Sequence, residues 1–359
     1  MTSMLKRHPA RLAAALLATL VLTTACGDDG PTYPKTFDPA ALQSELESAD
    51  LAMSAPAVQA FASMSSEIDF ALGGGGAPVV VDAPALLLEN SITPSAQVRA
   101  RLRAQAELRT ANALPPATLG KTFQWSTASS QYVAGSLAGA PANGVRFVLY
   151  TINPLTGYPA VPLVESGYVD LTRTSSSSSV TARVEVYASG LSALKVLDYT
   201  VTLAGTQDAP SINVAGFARH GQDELTFSLK TSLGGETLII DWRTELANQG
   251  LSTRLDQRIT EDAFTIDAAV ISRSGRVDID GRITELTGGS LAVNVNGKRF
   301  ATMRMSDSDS EPTFVNADGD PLTAEEESTL MQIFEWFGNA LFLALTLLSP
   351  VGTLLDVAL

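Results

Sequence analysis

Residues 251–259, LSTRLDQRI, and residues 275–284, GRVDIDGRIT, decide the fold, because apolar and polar side chains alternate along both. A period of two is typical of a β-strand with one dry face and one wet face. Residues 225–230, LTFSLK, repeat the pattern. The dry positions of these three runs are Leu225, Phe227, Leu229, Leu251, Thr253, Leu255, Ile259, Val277, Ile279 and Ile283. This part of the chain is therefore predicted to form a sheet.

Short turn signals separate the strand-like runs, at His220-Gly221, Gly234-Gly235, Ser274-Gly275 and Gly288-Gly289. The clearest is Asn296-Gly297, because both residues tolerate the positive φ of a type I′ hairpin turn. Parallel pairs would need long crossover connections, so short turns predict an antiparallel meander of about ten or more strands. We assign residues 117–315 to this sheet, which is expected to be curved or barrel-like.

Helical patterns lie on both sides of the sheet region. In the N-terminal segment 38–116, Asp38-Pro39 supplies an N-cap and a first-turn proline, and a second helix is expected from Pro56 to about Met64. A third helical stretch is expected from Thr93 to about Ala113. The residues expected on the inner helix faces are Leu42, Leu46, Ala49, Val58 and Phe61.

The C-terminal segment 316–359 is predicted to hold one apolar helix. Thr323 and Glu326 match a capping box, which places the helix start near Ala324, and Pro350 would end the helix. Glu335 and Asn339 interrupt the apolar run, which favours a helix packed on the sheet over a membrane span or a partner contact. The predicted fold class is α+β: a large antiparallel meander with N-terminal helices and an apolar C-terminal helix packed on it.

Cys26 is the only cysteine of the chain. It follows a basic start, an apolar run at Leu12 to Leu22, and Thr23-Thr24-Ala25, which is the order of a secretory signal. The ending resembles the lipobox of bacterial lipoproteins, although Thr23 stands where that motif usually has Leu. The resemblance implies cleavage before Cys26, a diacylglyceryl group on its thiol and palmitate-like acyl chains. A short export signal that ends at a chance cysteine is the alternative.

These features predict a signal peptide at residues 1–25 and a polar tether at 26–37. The expected location is the bacterial cell envelope, on the outer membrane if the organism has two. Removing residues 1–25 takes away Lys6, Arg7 and Arg11 and no acid, which changes the net charge from −14 to −17. A chain this acidic repels nucleic acid and anionic lipid headgroups, so the acyl chains are the expected membrane anchor.

The scarcity of histidine and cysteine narrows the catalytic options. His220 is the only histidine left after the signal is removed, and lipid would occupy Cys26. One chain therefore cannot build a Cys/His zinc site or a cysteine–histidine pair. His220 lies at a predicted hairpin without a recognisable serine motif, and we expect no cofactor.

Acids on the wet positions of the later strands suggest two interpretations. In the first, the arginines between them form ion pairs with the acids across the strands, on a solvated face. In the second, the protein is a carboxylate-dependent hydrolase of sugar or cell wall, and two of the acids lie on either side of the bond that is cleaved. The charged residues are Asp241, Arg243, Glu245, Arg254, Asp256, Arg258, Asp267, Arg276, Asp278, Asp280 and Arg282. Because arginines keep acids ionised and a general acid must hold a proton, we favour the solvated face.

A second acidic concentration precedes the C-terminal helix, at Asp307, Asp309, Glu311, Asn316, Asp318 and Asp320. Residues 316–323, NADGDPLT, resemble the DxDGDxLT calcium motif of bacterial cadherin-like repeats, with Asn316 in place of the first aspartate. This resemblance makes Asn316, Asp318 and Asp320 candidate calcium ligands. A polar turn before a capped helix is the alternative.

The sequence thus predicts a membrane-anchored envelope lipoprotein with a structural or binding role and no enzymatic activity. A curved sheet enclosing an apolar helix resembles the lipoprotein-carrier proteins of the bacterial envelope in architecture, without a shared motif. That resemblance implies a lipid or another apolar ligand. The hydrolase remains the alternative from a different class.

Overall fold

The computed structural model describes residues 38–72, 114, 116–306 and 313–334, with short gaps at 53, 177, 191–193, 207, 285–286, 325, 329 and 332–333. Three helices come first: α1 (Pro39–Ala52), α2 (Pro56–Ser63) and α3 (Ser65–Ala71). The strands are β1 (Thr122–Ser126), β2 (Gln131–Ala134), β3 (Gly144–Tyr150), β4 (Glu165–Ser175), β5 (Ser179–Ala188), β6 (Lys195–Gly205), β7 (Pro210–His220), β8 (Asp223–Gly234), β9 (Thr237–Leu246), β10 (Leu251–Ile259), β11 (Ala263–Ser272), β12 (Gly275–Thr284), β13 (Gly288–Val295), β14 (Lys298–Met305) and β15 (Thr313–Asn316). A 3₁₀ turn at Ala247–Gln249 joins β9 to β10.

All fifteen strands belong to one sheet that is not closed, with β2 and β15 at its edges. From β3 to β15 each strand pairs antiparallel with the next, so the predicted meander is confirmed. The expectation of purely antiparallel pairing is wrong at one place, where β1 pairs parallel with β3 through Phe123 and Phe147. The hairpin of β1 and β2 leaves β2 outermost, and residues 135–143 bring the chain back to the inner side of β1.

Three local predictions are confirmed by hydrogen bonds or backbone angles. Asn296 and Gly297 have φ values of 50° and 76° in the turn between β13 and β14, as a type I′ hairpin requires. The Asp38 carboxylate accepts a hydrogen bond from the Ala41 N–H at 3.0 Å and caps α1. In the capping box, the Thr323 N–H donates to Glu326 at 2.8 Å, and the Glu326 N–H donates to the Thr323 hydroxyl at 3.3 Å.

One face of the sheet, called the apolar face below, forms a single hydrophobic cluster with the helices. Helix α1 packs against β7 and β8, α2 against β3 to β6, and α3 against β2. The predicted inner residues Leu42, Leu46, Ala49, Val58 and Phe61 are all buried. Such side chains stabilise the fold by about 1.5–3 kcal/mol for each residue of Leu or Phe size.

The C-terminal helix is described only at its beginning. Ala324 is helical, and Leu330 and Phe334 are buried in the same cluster as the apolar face. Trp336, Phe337 and Phe342, apolar residues further along the sequence that we expect this helix to bury against the sheet, lie outside the described residues, as does the third predicted N-terminal helix. Within the described part of the chain, no helix has the length and apolar character needed to cross a membrane.

Candidate functional site

The predicted lipidation residue, Cys26, lies outside the described residues. Its assignment stays a prediction that depends on the signal-like sequence before it. The other candidate residues lie on the sheet or at its turns, where the structure gives their partners.

The opposite face, called the polar face below, carries an unexpected row of like charges. Asp241, Asp256, Asp267 and Asp280 lie directly opposite one another on β9, β10, β11 and β12. We call these four residues the aspartate row. Like charges in such positions repel, so the expected cross-strand ion pairs cannot form between directly opposite residues in this row.

Diagonal contacts compensate for this repulsion. Arg243 lies 3.0 Å from Asp256 and 3.2 Å from Asp241, and Arg254 lies 2.7 Å from Asp267. The Asn294 amide donates to Asp280 at 3.2 Å. Every acid of the row therefore has a partner, and the ion pairs are between 38% and 55% exposed on their acidic side. Exposed pairs of this kind contribute about 0–1 kcal/mol each.

A shallow depression of 490 Å³ lies beside the aspartate row, across β8 to β11. Its lining includes the charged residues Arg243, Glu245 and Arg254 and the small residues Ser228 and Ser252. Both guanidinium groups point to aspartates of the row, so the depression offers an anion little free positive charge.

The calcium candidates form a tight turn after β15. The Asn316 side-chain oxygen accepts the backbone N–H groups of Asp318 and Asp320, at 3.0 and 2.9 Å. That oxygen is directed into the turn, in agreement with the polar-turn interpretation. Among the described residues, no group of three or more histidine, cysteine, aspartate or glutamate side chains could hold a metal ion. Asp307, Asp309 and Glu311 lie outside the described residues.

The sequence reasoning missed a charged and aromatic cluster on the polar face of β3 to β6. Arg146 donates two hydrogen bonds to Asp170, both at 2.7 Å, and its guanidinium lies 3.9 Å from the ring centre of Tyr168. Tyr168 stacks on Tyr187 with 4.7 Å between ring centres. Lys195 contacts the other side of the Tyr187 ring, at 5.5 Å.

This cluster continues through Asp198, which accepts hydrogen bonds from both Arg183 and Lys195. Lys195 also bonds Glu185. These residues become neighbours only through the pairing of β3 to β6. In the sequence, the cluster is visible only as charged residues at alternate positions of separate strands. The positive and negative groups of the cluster form ion pairs with one another. These pairs connect the four strands β3 to β6, so we interpret the cluster as structural.

Trp242 and Gln257 on the apolar face each carry an N–H group that has no acceptor among the described residues. Trp242 on β9 and Gln257 on β10 are only 2% and 1% exposed. Trp242 lies opposite Leu255, and Gln257 lies opposite Ile240, so the two are diagonal neighbours. Within the described part of the chain, neither the indole Nε1 nor the amide Nε2 finds an acceptor.

We call the Trp242 indole N–H and the Gln257 amide N–H the donor pair. The groups around the donor pair are apolar or have hydrogen-bond partners of their own. Thr244 and Thr253, also on the apolar face, bond each other through their hydroxyls at 2.6 Å. Phe227 stacks on Trp242 with 6.3 Å between ring centres. Buried N–H donors that find no acceptor among the described residues are uncommon in folded proteins, and here two of them are neighbours.

The chain matches no protein-family model, no curated protein and no solved structure. Its own residues therefore carry the functional argument.

Proposed function

We propose that this protein is a membrane-anchored envelope lipoprotein with a non-catalytic binding role, and that a lipid or similar apolar ligand binds at the apolar face. The position of Cys26 at the end of a signal-like segment supports the anchor. The unpartnered donors of Trp242 and Gln257 are the observation that carries the binding role. The arginine-paired acids of the polar face support a role without catalysis.

A bound ligand would supply the acceptor that these two buried donors lack. A buried donor without an acceptor destabilises a protein by about 1–3 kcal/mol. Trp242 and Gln257 present two such donors on adjacent strands, and a carboxyl or ester oxygen placed between them would accept from both. Acyl chains would contact neighbours such as Leu255 and Ile240, which are buried and apolar.

Native mass spectrometry of protein purified from its own membranes tests this proposal. The wild type should retain a small apolar molecule, and Gln257→Leu should retain less of it because one donor is gone. The ligand-free Gln257→Leu protein should also unfold with a free energy raised by about 1–3 kcal/mol, since the variant removes a buried unsatisfied amide. Ile279→Leu, a volume-conserving change elsewhere on the apolar face, is the matched control and should keep the ligand.

A wild type that carries no small molecule, with Gln257→Leu less stable than the wild type, would contradict the proposal. Turnover of a sugar or cell-wall substrate that is lost when one polar-face acid is neutralised would establish the hydrolase instead.

A further inference from the structure

One region of the chain is almost free of charge. Between Thr122 and Val164, Arg146 is the only charged residue, whereas the chain average of 17% charged residues would place about seven in 43 positions. Arg146 itself is neutralised by two hydrogen bonds to Asp170. In a protein of net charge −14, a region so poor in charge can approach an anionic surface without strong repulsion.

The loop between β3 and β4, residues 151–164, carries the most exposed apolar side chains of this region. Leu155 is 93% exposed, Val161 77%, Val164 56% and Tyr158 47%. Leu155 lies inside a tight turn that the Thr156 and Gly157 N–H groups close on the Asn153 carbonyl. We call residues 151–164 the apolar loop.

The backbone of the apolar loop satisfies its own donors. The N–H groups of Asn153, Thr156, Gly157 and Ala160 bond carbonyl oxygens within the loop. Leu155 and Tyr158 donate to the side chains of Asn153 and Thr156, at 2.9 and 3.3 Å. Pro154 and Pro159 have no N–H. No residue from 153 to 160 therefore has a free backbone donor, which lowers the cost of moving this part of the loop from water into the interfacial region of a bilayer.

The loop is held firmly on the sheet. The Thr151 N–H bonds the Val164 carbonyl at 2.8 Å, which closes the base of the loop. The Tyr158 ring stacks on Trp125 of β1, with 5.8 Å between ring centres. Trp125 in turn contacts Tyr132, whose hydroxyl donates to the Val148 carbonyl at 2.9 Å. A half-exposed tyrosine on a tryptophan is typical of side chains at a membrane–water interface.

We propose that the apolar loop inserts Leu155 and Val161 into the surface of a lipid bilayer, as a second membrane contact that does not need the Cys26 anchor. A projecting tip with satisfied donors fits a bilayer better than a second copy of the chain, since a protein interface needs a broad complementary surface. The contact depends on apolar burial and not on charge, so an acidic protein can form it. It goes beyond the proposed function and stands or falls separately from the ligand at Trp242 and Gln257.

A site-specific fluorescent probe tests the insertion. The full chain carries Cys26→Ser, which removes the only natural thiol and any lipid on it, together with Leu155→Cys labelled with a nitrobenzoxadiazole dye. Leu137→Cys is the matched control: Leu137 is also exposed and lies in the same uncharged stretch. Leu137 follows β2, which runs antiparallel to β1 and therefore also to β3. It thus lies near the opposite ends of these strands from the apolar loop, which follows β3. The probe membrane is a vesicle of phosphatidylethanolamine and phosphatidylglycerol.

With vesicles, the dye at position 155 should shift to the blue, gain emission and be quenched by a nitroxide lipid, and these effects should persist at high salt. The dye at position 137 should change little. Equal changes at both positions, or no change at position 155, would overturn the proposal. A blue shift at position 155 that rises with protein concentration without vesicles would also overturn it and identify a second copy as the partner.

Discussion

Asp198 illustrates how a single residue on the polar face ties several strands together. Its carboxylate accepts two hydrogen bonds from Arg183, at 3.0 and 2.7 Å, and one from Lys195 at 2.9 Å. Burial by itself would raise the pKa of Asp198, but the hydrogen bonds from these two cations outweigh burial and hold the pKa below its usual range. The ionised form is therefore favoured in the folded state.

The sign of the pH dependence follows from that lowered pKa. A carboxyl group with a lowered folded-state pKa contributes stability above its unfolded pKa of about 3.9, and this contribution is lost as the pH falls through the folded-state pKa. Asp198→Asn should lower the free energy of unfolding by about 1–3 kcal/mol at neutral pH. The difference from the wild type should shrink as the pH drops below about 4.

Denaturant unfolding at neutral and acidic pH checks this prediction. Asp267→Asn is the control, because Asp267 is 55% exposed and has one arginine partner. Its effect should stay below about 1 kcal/mol at both pH values. A constant effect of Asp198→Asn at all pH values would contradict the account.

At the scale of helices and strands, local patterns predicted what depends on neighbouring residues in the sequence. The alternation around Leu255 and Ile279, the Asn296-Gly297 turn and the Thr323–Glu326 capping box all have local causes and are confirmed. Register depends on the whole sheet, since a slip of one residue exchanges the two faces. The aspartate row and the Tyr168–Tyr187 stack therefore could not be read from the sequence.

The sequence pattern also does not predict the donors of Trp242 and Gln257 as a candidate site. Gln257 occupies a dry position between Leu255 and Ile259, and a glutamine there looks like a tolerated exception in a strand. Only the packed structure shows that its amide is buried without an acceptor, next to the Trp242 indole in the same condition. Similarly, the parallel pairing of β1 with β3 depends on which side of β1 the chain returns to after β2.

The first turns of the C-terminal helix allow a test of whether this element belongs to the core. Leu330 is fully buried and Met331, the next residue, is 45% exposed. Leu330→Ala should lower the free energy of unfolding by about 2–5 kcal/mol, because it leaves a cavity in the cluster. Met331→Ala, the matched control, should change it by less than about 1 kcal/mol.

Thermal or denaturant unfolding of both variants provides the measurement. Similar small effects of the two substitutions would show that the helix contributes little to the core. A membrane or partner contact would then become the better account of its apolar residues.

At the scale of the whole molecule, one sheet of fifteen strands presents two faces with different roles. The polar face neutralises its charges in networks such as those around Asp198 and the aspartate row. The apolar face holds the core and the donor pair of Trp242 and Gln257. The proposed anchor at Cys26 would place this scaffold at a membrane, and the apolar loop would give it a second contact there.

The intact mass of protein purified from its own membranes is the most direct test of the proposed anchor at Cys26. We expect a chain that begins at Cys26 and is heavier than its residues by a diacylglyceryl group and a further acyl chain. Cys26→Ala should abolish labelling by an alkyne fatty acid. A chain with a free thiol at Cys26, or equal labelling of the variant and the wild type, would contradict the account.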